Sequence, residues 1–90
     1  MSKRFKDSRE ALTAIRNFEL EIGNVLSGVE GEFYIIDINE FPESTDDVVI
    51  WAKDIIFGED GSFGLGRIEH RFTCKELANF TVHVADDILH

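Results

Sequence analysis

Thr73-Cys74-Lys75-Glu76-Leu77-Ala78-Asn79-Phe80-Thr81-Val82-His83-Val84-Ala85-Asp86-Asp87-Ile88 decides the fold, because it supports two secondary structures at once. Thr73 with Glu76 three residues later is a capping box. Behind it Leu77, Phe80, Val84, Ala85 and Ile88 recur at helical steps. Yet Phe80, Val82 and Val84 also alternate, as one face of a strand does. The capping box favours the helix, and that choice makes this segment the last α in the chain.

Before it, Arg67-Ile68-Glu69-His70-Arg71-Phe72 alternates cleanly, with Ile68, His70 and Phe72 on one face, so 67–72 is read as a strand. The stretch 58–66 is a glycine-rich connection with an Asp60-Gly61 turn signal. Residues 48–57 and 32–39, rich in Val, Ile, Phe, Tyr and Trp, are two further strands. Between them Phe41–Asp47 is a loop in which Pro42 ends pairing. The first element is a helix: Asp7 and Glu10 form a capping box, and Leu12, Ile15, Phe18, Ile22, Val25 or Leu26, and Val29 share one helical face. Gly28 supplies its stop, although Gly23 inside the pattern costs about 1 kcal/mol against Ala.

The expected fold is therefore α+β, in the order α-β-β-β-α: a three-stranded antiparallel sheet with helices packed on one face, in a single acidic domain spanning 1–90. Two helices cover one face of such a sheet. The other face carries apolar side chains from both long strands beside Asp37, Lys53 and Asp54, and an apolar patch rimmed by charge marks an association surface. A homodimer or another partner is expected there, unless the 58–66 connection folds back across it.

Charge is the other strong signal. Eighteen Asp and Glu face nine Lys and Arg, for a net −9. Residues 1–16 hold five bases and two acids, 17–66 hold twelve acids and the single base Lys53, and 67–90 hold four acids and three bases. The middle block is thus −11. Such a band attracts basic partners and repels phosphates, which argues against nucleic acid or an anionic membrane as ligand. A 43% hydrophobic, 11% aromatic chain of 90 residues folds rather than forming an acidic tail. Lone Cys74 forms no internal disulfide, so a reducing, cytoplasmic setting is expected (host cytoplasm if viral). The charged run behind Met1 predicts no signal peptide, and no apolar stretch is long enough for a membrane helix.

No motif for chemistry accompanies the charge. Gly64-Leu65-Gly66 lacks the third glycine of a dinucleotide loop, where Glu69 stands, and reads as a hairpin turn. One Cys and three His do not make the paired ligands of a zinc site, and 37–47 lacks the calcium-loop order. Cys74 beside Lys75 in a first helical turn is a weak hint of an activated thiol. A protein without catalysis, cofactor or metal is expected. The carboxylates Glu30, Glu32, Asp37, Glu40, Glu43, Asp46, Asp47, Glu59 and Asp60 are then the expected partner-binding residues.

In size, charge and want of a catalytic signature the chain resembles the small acidic DNA-mimicking inhibitors made by bacteriophages. Those proteins block host DNA-binding proteins, including histone-like HU proteins, restriction enzymes and CRISPR effectors. The resemblance is one of type, carried by these acids with no family motif, and the basic Lys3, Arg4, Lys6 and Arg9 depart from it. It implies inhibition of a basic DNA- or RNA-binding protein through mimicry of phosphate charge. A domain of this length has an expected span of roughly 30 Å, over which duplex DNA carries about 18 charges. Two other classes stay open. One is an immunity protein neutralising a basic nuclease toxin, with Trp51 as apolar anchor. The other is a phage or bacterial assembly module acting through the apolar sheet face, which charge reversal at 43, 46 and 47 would leave working.

Overall fold

The computed structural model describes residues 2–39 and 48–84. In chain order its elements are β1 (Ser2–Arg4), α1 (Ser8–Arg16), β2 (Asn24–Gly28), β3 (Gly31–Asn39), β4 (Val49–Phe57), β5 (Phe63–Thr73), α2 (Cys74–Leu77) and β6 (Thr81–Val84). The strands form one six-stranded sheet in the order β1-β6-β2-β3-β4-β5, and every neighbouring pair is antiparallel. The expected α-β-β-β-α fold with a three-stranded sheet is wrong. Three strands were missed, and the helices are short, with nine and four residues.

The first error has a local cause. The Asp7 side chain does accept the Glu10 amide, at 2.9 Å, and α1 starts where expected. It stops at Arg16 because Phe18 turns left-handed, with φ +58°. The Phe18 amide returns to Ile15 O at 3.2 Å and the Glu19 amide to Ala14 O at 2.8 Å. That double return is a Schellman closure, in which glycine is the usual residue. Gly23, at φ +96°, then opens the chain into β2. There the adjacent Val25 and Leu26 are both fully buried, one on each face of a strand, as a single helical stripe cannot arrange.

The contested stretch contains both of its readings in series. The Thr73 amide donates to Glu76 Oε1 at 3.2 Å and the Glu76 amide to Thr73 Oγ1 at 3.4 Å, so the capping box is real. The helix it starts has four residues, and Asn79 and Phe80 return to the carbonyls of Glu76 and Leu77. Thr81–Val84 then enters the sheet between β1 and β2, with Val82 beside Leu26. Two partner strands outweigh the helical preference of so short a β-branched run. The part of the expected last helix beyond Val84, and the 40–47 loop, lie outside the described residues.

Topology follows from the pairings. β1 and β2 both run antiparallel to β6, hence parallel to each other, and α1 makes the crossover that parallel strands require. β5 and β6 are likewise parallel and joined through α2. Both crossovers bury their apolar side chains against one sheet face. The core unites Ala11, Leu12, Ala14, Ile15, Cys74 and Leu77 of the helices with Leu26, Phe33, Ile35, Ile50, Ala52, Phe72 and Val82 of the strands. At its centre Phe33, Phe72 and Phe80 meet edge to face, with centroids 5.0–5.9 Å apart. Such pairs contribute about 0.5–1.5 kcal/mol each beyond their burial.

Candidate functional site

The helix-free sheet face is where an apolar association surface was expected. Cross-strand register places on it Val25, Tyr34, Lys53 and Glu69 in one row, and Asp37, Trp51 and Arg71 in another. A third row holds Arg4, Thr81, Ser27 and Glu32. Val25, Val49 and Ile55 are at most 8% exposed, yet stand apart from the main core, as their place on the opposite face requires. Among the described residues the larger aromatic groups here, Tyr34 and Trp51, are half-buried. Each row that carries an acid also carries a base, so this face is amphipathic and mixed in sign.

Five exposed apolar residues lie toward the free end of the β4–β5 hairpin, where Leu65, Phe57 and Phe63 share the helix-free face with Ile55. Ile56, Phe57, Phe63, Leu65 and Ile68 are between 42% and 68% exposed. The turn that carries them is closed by the Gly58 amide on Ser62 O at 2.7 Å, with Gly61 at φ +83°. The glycine-rich stretch is thus a hairpin turn, shorter than expected, because Phe63–Gly66 already belongs to β5. It does not fold back over the sheet, since Gly64 and Leu65 pair with Ile56 and Ile55.

Five expected partner-binding carboxylates fall among the described residues. Glu59 and Asp60 cap the β4–β5 turn, and both are exposed. Glu30 caps the β2–β3 turn at the same end of the sheet, about two strand spacings or 10 Å away. Glu32 and Asp37 lie on the helix-free face instead. Asp37, opposite Trp51, stands six residues before the end of β4, or about 20 Å from the hairpin turn. The structure therefore keeps Glu59 and Asp60 together on one turn, sets Glu30 at the same end of the sheet but beside Arg4, Phe72 and Glu76, and separates Asp37 from them. Glu40, Glu43, Asp46 and Asp47 lie outside the described residues. None of the five forms a salt bridge with a described cation; the ion pairs among the described residues are Lys3–Glu19 at 3.2 Å and His70–Asp54 at 2.9 Å.

Local chemistry at the end is limited to hydrogen bonding. Asp60 accepts from the Ser62 hydroxyl and amide, which holds its carboxyl below the ordinary value of 3.8. One oxygen of Glu32, Oε2, is buried without a hydrogen-bond partner, although the residue as a whole is half-buried. The His70–Asp54 pair escaped sequence reasoning because its members are 16 residues apart and meet only across β4 and β5. The His70 ring also lies against Phe33 and Phe72, at centroid distances of 5.0 and 6.3 Å. Among the described residues no three of His, Cys, Asp and Glu gather where a metal could bind. Cys74, the first residue after the Thr73 cap, is buried. The apolar hairpin end did have a signal: Ile55-Ile56-Phe57 is apolar at consecutive positions, and one of the two faces it serves has no helix over it.

No helix among the described residues is long and apolar enough to cross a membrane. No family model matches the chain, and no curated protein or solved structure is significantly similar to it.

Proposed function

We propose that this chain is a non-catalytic acidic binding protein that occupies the phosphate-binding surface of a basic nucleic-acid-binding protein, such as a histone-like protein, a nuclease or a CRISPR effector. The observation that supports this reading is the hairpin end, where Glu59 and Asp60 tip a turn flanked by the exposed Ile56, Phe57, Phe63 and Leu65, with Glu30 at the same end of the sheet. Carboxylates there meet Lys and Arg that would otherwise contact phosphate. The apolar side chains beside them supply affinity that salt does not screen.

Magnitude favours that combination over charge alone. The molecule is 45 × 26 × 21 Å, longer than the span expected from its size. Duplex DNA of that length carries about 26 charges, at one per ~1.7 Å. The net −9 of the chain is then about a third of the DNA value, and the −11 of its middle block about two-fifths. A pure charge mimic of this density competes weakly with DNA, so the apolar contacts are needed to hold the partner.

The test is capture of basic proteins from lysate at low and high salt, followed by elution with duplex DNA. Capture of a DNA-binding protein that DNA displaces, and that E30K/E59K/D60K abolishes, supports the proposal. Capture that survives this triple reversal but is lost in F57S/F63S points to an assembly module acting through apolar contact. An unreversed chain that retains nothing basic at low salt ends the proposal.

A further inference from the structure

β5 is the outer strand of the sheet, and among the described residues nothing pairs with its free edge. It is also the longest strand, with 11 residues. An uncovered edge is a template for another strand. Its irregular part is confined to 66–68, where register against β4 jumps between the partners of Lys53 and Ile55. From Glu69 to Thr73 the register is unbroken.

The order of charges selects the strand that fits. In an antiparallel pair, opposed side chains share a face, so two copies related by a two-fold axis must be centred on a residue. Centred on His70, Glu69 of each copy faces Arg71 of the other, and both pairs lie on the helix-free face. Ile68, 68% exposed in the single chain, comes opposite Phe72, and Arg67 opposite Thr73. Centred on Glu69, the same strands oppose Glu69 to itself and Arg67 to Arg71. Centred on Arg71, they oppose Arg71 to itself. Like charges directly opposed are destabilising. A centre at Ile68 would match Arg67 with Glu69, but it puts the axis itself inside the irregular 66–68, whereas a centre at His70 keeps the axis and both Glu69–Arg71 pairs in the regular stretch.

We infer that β5 is a self-association edge: two copies of this chain pair antiparallel through Arg67–Thr73 about His70, joining their sheets into one. This interface is a strand edge that shares only Ile68 with the hairpin end described above, and it does not depend on the assignment of that end to a basic partner.

The experiment is sedimentation of the full chain from about 1 μM to 1 mM, the range that brackets a weak strand-edge dimer. The unaltered chain is expected to dimerise. Glu69→Arg and Arg71→Glu each convert two attractive oppositions into repulsive ones and should weaken the dimer about tenfold or more. The double variant E69R/R71E restores complementarity and should recover it. Circular dichroism confirms that each variant is folded. Opposed Cα atoms at a strand pair lie about 4.5–5.5 Å apart, within disulfide reach, so His70→Cys should oxidise to a covalent dimer. A monomer across the whole range, or single reversals that leave the dimer intact, would overturn the interface. Crosslinking of Ile68→Cys in preference to His70→Cys would overturn the register.

Discussion

Replacing Phe18 isolates the backbone strain at the end of α1. A left-handed residue other than glycine carries a penalty of about 1–2 kcal/mol. Phe18 carries that penalty at φ +58° while remaining 78% exposed. About a fifth of its surface is hidden, or ~45 Å² of the ~200 Å² an aromatic side chain offers, and at ~25 cal/mol per Å² this contributes at most about 1 kcal/mol. Phe18→Gly relieves the strain, loses the ring contact and adds about 0.5–1 kcal/mol of unfolded-state entropy, so it should lie within about 1 kcal/mol of the original chain. The informative comparison is with Phe18→Ala, which loses the same ring and keeps the strained φ. Glycine is ordinarily the less stable of the two by about 0.5–1 kcal/mol; here it should be the more stable by about 1 kcal/mol. For 90 residues, with an unfolding entropy near 2.1 cal/mol/K per residue, that corresponds to about 5 °C in Tm. Thermal melts followed by circular dichroism measure it. Equal melting points, or a higher one for Phe18→Ala, would refute the left-handed closure and with it the reason α1 stops at Arg16.

Two further outcomes follow from close contacts and hydrogen bonds. A Cβ at Gly28 would sit 2.7 Å from Phe80 Cδ1, a ring held in the aromatic core, whereas a Cβ at Gly64 meets nothing within 4 Å. Gly28→Ala should therefore cost about 1–3 kcal/mol in urea unfolding and Gly64→Ala almost nothing; similar losses at both sites would count against the α2–β6 crossover. The Asp60 carboxyl, followed by carbon NMR, should titrate below 3.8 and move upward in Ser62→Ala. Because its folded value is depressed, its contribution to stability is present above the unfolded value and fades as pH falls through the folded one. A midpoint unchanged in Ser62→Ala would show that the Ser62 bonds do not hold it down.

What could be read before the structure was whatever depends on neighbours in the chain. Both helix starts were visible because Asp7–Glu10 and Thr73–Glu76 are contacts across three residues. The faces of β5 were visible because alternation is local, and His70 and Phe72 do share a face, opposite Ala52 and Ile50. Helix lengths were not. The stripe from Leu12 to Val29 fits a helix in periodicity, and only the backbone of Phe18 and Gly23 breaks it. β1 was invisible because Ser2-Lys3-Arg4 carries no pattern and is a strand only through β6. The acids were placed by sequence proximity alone, so Asp37 and Glu59 were grouped although a strand length separates them. The apolar hairpin end was hidden in the expectation that 63–66 was loop.

The position of β6 bears on how the chain reaches its native state. Residues 81–84 are wedged between β1 and β2, two strands synthesised long before them. Until that final insertion, β2 has a bare side and β1 has nothing to hold it, so the amino-terminal crossover cannot mature piecemeal on the ribosome. Contacts such as Ser2 with His83 and Arg4 with Thr81 join residues that lie 81 and 77 positions apart. Closing so large a loop before its contacts reward it slows folding. A nascent chain that stalls short of Val84 would present the open flank of β2 to its neighbours.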